Sequence, residues 1–144
     1  MSKEKHSLLN RMRSDILQLF KASILSVSPY EAVMRSVNLD KNLLVIGHGD
    51  QQRVEINLDN YQQIFLVGGG KATAPMAHAM EKILGERISG GHINVKYGFT
   101  QALTRTTIVE ADHPLPDQNG IDGTGAILKL IANAGEKDLI FSLI

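Results

Sequence analysis

The chain has 144 residues, 43% of them hydrophobic and 21% charged, which is the size and composition of one globular domain with a sizeable core. Its 15 Lys and Arg residues equal its 15 Asp and Glu residues in number, so no overall positive field exists to attract a nucleic acid or an anionic membrane. The lack of cysteine excludes disulfide bonds, thiolate metal sites and cysteine nucleophiles. The sequence shows neither a signal peptide nor a membrane-spanning run, and we expect a cytoplasmic protein that binds small molecules.

Two helices are predicted at the start of the chain. Between residues 6 and 27, apolar side chains recur every three or four positions, as on a helix that packs one face on a core. Ser28, Pro29 and Glu31 then have the order of an N-cap, a first-turn proline and the third residue of a capping box. This order predicts that a second helix begins immediately after the first.

A β-hairpin and a buried strand follow these helices. The segment NLLVIGHGDQQRVEINL, residues 42–58, has two short strand patterns joined at residues 47–50, where glycine and aspartate tolerate the backbone angles of a tight turn. The next segment, QIFLVG at residues 63–68, is almost continuously apolar. Continuity without alternation is typical of a strand that is covered on both faces.

The rest of the chain alternates between helices and strands. We predict a helix over residues 71–84, strands in GGHINVKYG and TTIVEA, a helix over about residues 117–134 and a last strand in DLIFSLI. This alternation predicts an α/β fold with a mainly parallel sheet and helices on its faces. The last strand stops at Ile144, before the loop at its carboxyl end where such sheets bind ligands, so we expect a truncated domain from a longer protein.

Gly68, Gly69, Gly70 and Lys71 form the first candidate site, at the junction between the buried strand and the next helix. Glycines allow a ligand close to the backbone, a helix start offers N–H donors, and the lysine adds a cation, so the junction favours a phosphate or a carboxylate. It matches neither a Walker A loop nor a dinucleotide fingerprint, whose third glycine is replaced by Thr73. The alternative is that the glycines only permit tight packing while Lys71 points into solvent.

The segment EADHPLPDQNG, residues 110–120, forms the second candidate site. It follows another predicted parallel strand, so we expect it at the same edge of the sheet as the glycine turn, with His113 or Asp117 facing a shared cleft. Asp117 could instead be the N-cap of the following helix. The remaining histidines show no metal-ligand spacing with one another, and we propose no metal site from them.

Five separated segments together resemble the N-terminal region of the glycerate 2-kinase family, whose members also carry the label hydroxypyruvate reductase. The resemblance covers about residues 14–144, through the segments DILQLFKASILSVSPYEAV, VGGGKATAPMAHAME, INVKYG, EADHPLPDQNG and DLIFSLI. It implies a Rossmann-like three-layer domain, preceded by N-terminal helices and a β-hairpin. Residues 1–144 would be the N-terminal part of that domain, and a second domain would lie beyond Ile144.

The resemblance also implies a reaction. Enzymes of this family transfer the γ-phosphoryl group of ATP, with Mg²⁺, to the 2-hydroxyl of D-glycerate, in a cleft between two domains. The lysine of the family's GK-A turn is an active-site residue, and it matches Lys71. The turn from Gly68 to Lys71 would then hold the substrate carboxylate or a phosphate.

Two other functions stay open at this point. An NAD(P)H-dependent hydroxypyruvate reductase would need a dinucleotide fingerprint, but the pattern breaks at Thr73 and again at Lys96, where a ribose-binding acid is expected. A non-catalytic sugar-phosphate-binding domain would share the glycine turn and lack only the geometry for the phosphoryl acceptor.

Overall fold

The computed structural model of the protein describes residues 3–47 and 53–144. Its helices are α1 (Lys3–Ser26), α2 (Pro29–Ser36), α3 (Thr73–Leu84) and α4 (Gln118–Ile131). Its strands are β1 (Val37–Asp40), β2 (Leu43–Ile46), β3 (Val54–Asn57), β4 (Gln63–Gly69), β5 (Gly90–Lys96), β6 (Thr106–Ala111) and β7 (Asp138–Leu143). This order of elements confirms the predicted α/β fold.

Four parallel strands form the main sheet, in the order β6–β5–β4–β7. β4 lies between two neighbours, with Val67 opposite His92 on one side and Ser142 on the other. Its segment 64–67 is buried throughout, which explains the continuous apolar run in the sequence. β4 is therefore the central strand that the sequence predicted, and the strand order is that of the first half of a doubly wound sheet.

Helices α3 and α4 cover opposite faces of the main sheet. Neighbouring residues of a strand point to opposite faces, and β5 shows both environments. Ile93 belongs to the buried cluster that includes Ala77 and Met80 of α3. Asn94, the next residue, donates a hydrogen bond to the Gly120 carbonyl of α4. The sheet and its two helix layers form the predicted three-layer arrangement.

A smaller antiparallel sheet contains β1, β2 and β3. β2 and β3 pair with Ile46 opposite Val54, which confirms the predicted hairpin. Its predicted turn at residues 47–50 lies, apart from Gly47, outside the described residues. β1, which the sequence pattern did not predict, pairs with the other edge of β2. Leu44 of β2 is fully buried and joins the core of the main sheet.

Helix α2 begins at the predicted cap. The side chain of Ser28 accepts a hydrogen bond of 3.5 Å from the Glu31 N–H, which confirms Ser28 as the N-cap. Pro29 is the first helical residue, a position where its missing N–H costs no intrahelical bond. Val33 of this helix is partly buried against the core.

Helix α1 forms as predicted, but the expectation that it packs one face on a core is wrong for the part of the chain that the structure describes. Every large apolar side chain from Leu8 to Leu25 is more than one-third exposed. The helix is tied to the rest of the structure near its C-terminal end, where the Arg35 guanidinium donates a 3.1 Å hydrogen bond to the Ser26 carbonyl. In residues 3–47 and 53–144 no helix is both long enough and apolar enough to cross a membrane.

Glu81 on α3 anchors the loop between β5 and β6. Its carboxylate accepts hydrogen bonds from the Thr104 N–H at 2.8 Å, the Thr104 hydroxyl at 2.9 Å and the Arg105 N–H at 2.9 Å. Partial burial acts to raise the pKa of Glu81, but these bonds outweigh burial and hold the pKa below its ordinary value of 4.5. The charged form of Glu81 therefore stabilises the folded chain.

We predict that Glu81→Gln lowers the free energy of unfolding by about 1 kcal/mol at pH 7, because an amide cannot replace the acceptors of a partly exposed carboxylate. The folded-state pKa is depressed, so this stabilisation is present above pH 4.5 and is lost as the pH falls through the folded-state value. Urea unfolding of both proteins should show the difference shrinking between pH 7 and pH 3.

The matched control is Glu86→Gln, because the Glu86 side chain is 97% exposed and makes only a 3.7 Å ion pair with Arg105. We expect this substitution to change stability by less than about 0.5 kcal/mol. Equal losses for the two variants, or a Glu81→Gln difference that does not change with pH, would contradict the anchoring role.

Candidate functional site

A cavity of about 630 Å³ opens at the carboxyl ends of β4, β5 and β6. Gly69 and Gly70 line it from the end of β4, Lys96 from the end of β5 and His113 from the loop after β6, while α4 forms a further wall. Small-ligand pockets typically have volumes of roughly 300–1,000 Å³, and open α/β sheets bind ligands at this edge. The glycine turn and the HPLPDQNG loop thus lie at the same edge, as predicted.

The backbone at the end of β4 turns sharply into α3. Gly70 has a φ of +126°, a conformation that side chains rarely adopt. Its N–H donates to the Asn94 carbonyl at 3.0 Å, and its carbonyl accepts from the Thr73 N–H at 3.3 Å. Ala72 is the N-cap of α3 and makes no side-chain capping bond. The first turn of α3 therefore lacks the side-chain acceptor that helix starts commonly use.

Lys71 lies on this turn with its side chain exposed at the cavity. Its Nζ lies 5.7 Å from the centroid of the Phe99 ring, within range of a cation–π attraction. Phe99 belongs to the turn after β5, where its N–H donates to the Lys96 carbonyl at 2.9 Å. The ammonium group is thus held at the cavity edge by a neighbouring loop and stays accessible to an anion.

Gly68 has a packing role in the structure. A Cβ at this position would lie 2.1 Å from the Leu143 carbonyl oxygen of β7 and 2.9 Å from Cγ2 of Thr73. The residue is absent from the cavity lining, whereas Gly69 and Gly70 contribute to it. The packing alternative considered from the sequence therefore applies to Gly68, and the ligand-facing alternative fits the next two glycines.

His113 lines the cavity together with Asp112. The His113 N–H donates to the Asp112 carboxylate at 2.7 Å, so the aspartate holds the backbone at the start of the loop. An imidazole can donate or accept a hydrogen bond, which suits it to contact a phosphate, a carboxylate or a hydroxyl. Its predicted position in a cleft shared with the glycine turn agrees with the structure.

Asp117 is the N-cap of α4 and is absent from the cavity lining. Its carboxylate accepts hydrogen bonds from the Gly120 N–H at 2.9 Å and from the Tyr97 hydroxyl at 2.8 Å. The bond from Gly120, followed by that from Tyr97, lowers the pKa of Asp117, and the same carboxylate raises the pKa of Tyr97. The capping alternative is confirmed, and Asp117 does not line this cavity.

Asn94 is a residue of the site that the sequence interpretation missed. Its side-chain amide donates to the Gly120 carbonyl and to the Thr124 hydroxyl, each at 3.2 Å. It lines the cavity beside Lys96, which the sequence interpretation used only as an argument against a dinucleotide site. Both residues lie at the carboxyl end of a predicted parallel strand, and that position was the signal available in the sequence.

The charged residues of the cavity lining are mainly cationic. Lys71 and Lys96 lie on two of its walls, and Asp112 is the carboxylate among its lining residues. Over residues 3–47 and 53–144, no group of three or more His, Asp or Glu side chains is arranged to hold a metal ion. The lysine side chains of this lining suit the cavity to an anionic ligand.

The fold and the cavity define a class of protein. The chain has a Rossmann-like α/β fold, with a glycine turn after the central strand, the strand order β6–β5–β4–β7 and a cavity at the carboxyl ends of the strands. The chain belongs to the family described as "Domain of unknown function (DUF4147)", whose model matches residues 15–144. This family region is homologous to the N-terminal part of glycerate kinases.

Curated relatives support this assignment. The chain is 31% identical over 128 residues to the glycerate 2-kinase of Pyrococcus horikoshii, a match that covers 89% of this chain and 27% of that protein. It is 36% identical over 91 residues to the D-glycerate 2-kinase of Thermotoga maritima, covering 62% of this chain and 21% of the relative. The glycerate kinase of Homo sapiens is 30% identical, with 88% of this chain and 26% of that protein covered.

Solved structures agree with the fold. A crystal structure of a Pyrococcus horikoshii OT3 protein superposes with a TM-score of 0.75 at 30% identity, over 91% of this chain and 28% of the other. The glycerate kinase of Thermotoga maritima superposes with a TM-score of 0.70 at 28% identity, over 94% of this chain and 28% of that one. The chain thus spans little more than a quarter of the length of these relatives.

We predict that Gly68→Ala destabilises the folded chain, whereas Gly69→Ala does not. The new Cβ of Gly68→Ala would overlap the Leu143 carbonyl, so the free energy of unfolding should fall by about 1–3 kcal/mol. Gly69→Ala is the matched control, because its Cβ would meet only the Asn94 carbonyl at 3.8 Å, and its stability should stay within about 0.5 kcal/mol of wild type. Urea unfolding measures both, and equal losses would contradict the assigned packing role.

Proposed function

We propose that the protein containing this chain phosphorylates D-glycerate at its 2-hydroxyl with ATP, and that this chain contributes an anion-binding wall of the active site. The observation that carries the proposal is the accessible ammonium of Lys71 beside a glycine turn and the uncapped start of α3, on a cavity at the ligand-binding edge of the sheet. The family relationship with glycerate 2-kinases points to the same reaction.

Phosphoryl transfer needs positioned charge more than covalent help from the protein. The transferred phosphoryl group carries negative charge, and so does the glycerate carboxylate. Lys71, beside the uncapped start of α3, is placed to neutralise one of these groups, and His113 faces the same cavity from the opposite loop. A cation on a rigid turn requires little rearrangement when charge develops, which is why this geometry suits the reaction.

Kinases of this kind use ATP together with Mg²⁺. The described residues of this chain do not by themselves fit a magnesium site, since the cavity lining has the single carboxylate Asp112 and its Oδ1 already accepts from the His113 N–H. Magnesium in phosphotransferases is commonly held by substrate phosphates with only one or two protein carboxylates. We therefore propose that Mg²⁺ enters with the nucleotide phosphates.

This chain matches only part of the length of its relatives, so it contributes only part of the proposed active site. Because it spans 27% of the length of the Pyrococcus horikoshii enzyme, we propose that residues 1–144 are one incomplete Rossmann-like domain and that the group activating the glycerate hydroxyl is supplied from outside this chain. The cytoplasm remains the expected compartment.

A nicotinamide-dependent hydroxypyruvate reductase is less well supported by the geometry. Lys96 is the last residue of β5, the position where NAD-binding domains carry an acid that binds the ribose hydroxyls. A sugar-phosphate-binding domain without catalysis would use the same lysines and lack only turnover. The assay described next distinguishes all three functions.

We predict that Lys71→Met in the complete protein lowers the rate of D-glycerate phosphorylation on the order of 10²-fold or more, because a charge aimed at a transferring group is lost. The assay follows 2-phosphoglycerate formed from D-glycerate, ATP and Mg²⁺, and circular dichroism checks the fold of each variant. Lys82→Met is the matched control, since Lys82 is exposed in the last turn of α3, away from the cavity, and should retain wild-type activity.

Wild-type turnover by Lys71→Met would remove Lys71 from the mechanism. Oxidation of NADH or NADPH with hydroxypyruvate, without any ATP-dependent product, would replace the kinase by the reductase. Binding of glycerate and ATP without turnover by the complete protein would favour the non-catalytic domain. The 144-residue chain by itself should show no kinase activity, and measurable turnover by it would contradict the proposal that the site is completed from outside.

A further inference from the structure

One wall of the cavity is an apolar helix face. Ile121, Thr124, Gly125 and Leu128 of α4 all line the cavity, and their spacing of three, four and seven residues places them on one side of the helix. Ile121 and Leu128 are each 60% exposed, so the wall presents apolar surface to the cavity. We call these four residues the α4 platform.

Gly125 gives the α4 platform its shape. A Cβ built at this position would have no atom within 4 Å, so the space above the glycine is open toward the cavity. Glycine inside a helix costs roughly 1 kcal/mol relative to alanine, and no packing contact in the described structure requires it here. The missing side chain therefore leaves the helix backbone open to the cavity between Ile121 and Leu128.

The charged part of a ligand cannot use the start of α4. Asp117 caps that helix and places a carboxylate there, so an anion would be repelled. The cations of the cavity, Lys71 and Lys96, lie instead at the ends of β4 and β5. The cavity therefore has an apolar wall on α4 and a cationic end on the strands, which is complementary to a ligand with one flat apolar part and one anionic part.

We infer that the α4 platform is the subsite for the adenine ring of a nucleotide whose phosphates point toward Lys71 and Lys96. This inference rests on the proposed function, which supplies two substrates. D-Glycerate is a small polar acid and cannot fill an apolar wall or a cavity of about 630 Å³. ATP has a planar base that stacks on aliphatic surface and a phosphate chain that pairs with lysines.

The test separates the two halves of the nucleotide. Adenosine and inorganic tripolyphosphate are each titrated into the complete protein, with adenosine followed by saturation-transfer NMR at its ring protons and tripolyphosphate by ³¹P NMR. Gly125→Leu should fill the open space above the helix backbone and weaken adenosine binding about tenfold or more while leaving tripolyphosphate affinity unchanged. Lys71→Met should have the opposite pattern.

Lys129→Leu is the matched control, since Lys129 is exposed on α4 and is absent from the cavity lining. It should bind adenosine within about threefold of wild type. Circular dichroism checks that Gly125→Leu retains its helices, which we expect because a Cβ at this position meets no atom within 4 Å.

The inference would be overturned if adenosine does not bind, or if its affinity is the same for the wild type and for Gly125→Leu. If tripolyphosphate binding still depends on Lys71 and the complete protein still phosphorylates glycerate, the proposed function stands without it. If the complete protein shows no phosphorylation although adenosine binds as described, the kinase proposal fails and the subsite stands. A change of oligomeric state in Gly125→Leu, without any effect on adenosine, would assign the α4 platform to a second copy of the chain and overturn the inference.

Discussion

Asn94 connects the walls of the cavity, and the arrangement of the site depends on its hydrogen bonds. Its backbone carbonyl accepts from the Gly70 N–H on the turn after β4. Its side-chain amide donates to Gly120 and Thr124 on α4. The approach is so close that a Cβ on Gly123 would lie 2.1 Å from the Asn94 side-chain oxygen. One residue at the end of β5 thereby fixes the glycine turn on one side and the helix on the other.

The two helix starts at this edge of the sheet differ in the charge beside them. The start of α4 is occupied by the Asp117 carboxylate, which also binds the Tyr97 hydroxyl and thereby joins the loop after β5 to the helix. The start of α3 has no side-chain cap and carries Lys71 beside it. Charge complementarity therefore directs an anionic group to the β4 end of the cavity and leaves the α4 wall for apolar contact.

Much of this architecture could be predicted from the sequence, because periodicity and helix signals are local. The continuous apolar run at residues 63–68, the Ser28 cap and the glycine turn each follow from neighbouring residues. β1 was missed because the chain turns back after it through Lys41, a non-glycine residue at a φ of +54°, which gives no turn signal in the sequence. The Asp117 cap is a local signal and was one of the two alternatives that the sequence left open. The side-chain bonds of Asn94 could not be predicted, because its partners on α4 are fixed only by tertiary contacts. The burial of α1 was expected from an amphipathic pattern, which indicates a face to be covered without specifying what covers it.

The central claim is that the ends of β4, β5 and β6 and the α4 wall form one ligand-binding cavity. An amide ¹H–¹⁵N NMR titration of the chain with ATP tests this most directly. The account predicts that the signals of Gly69, Gly70 and Lys71 shift together with those of Lys96, His113 and Gly125, with one common dissociation constant, while those of β1–β3 stay unchanged. Shifts confined to one loop, or centred on the small antiparallel sheet, would contradict it.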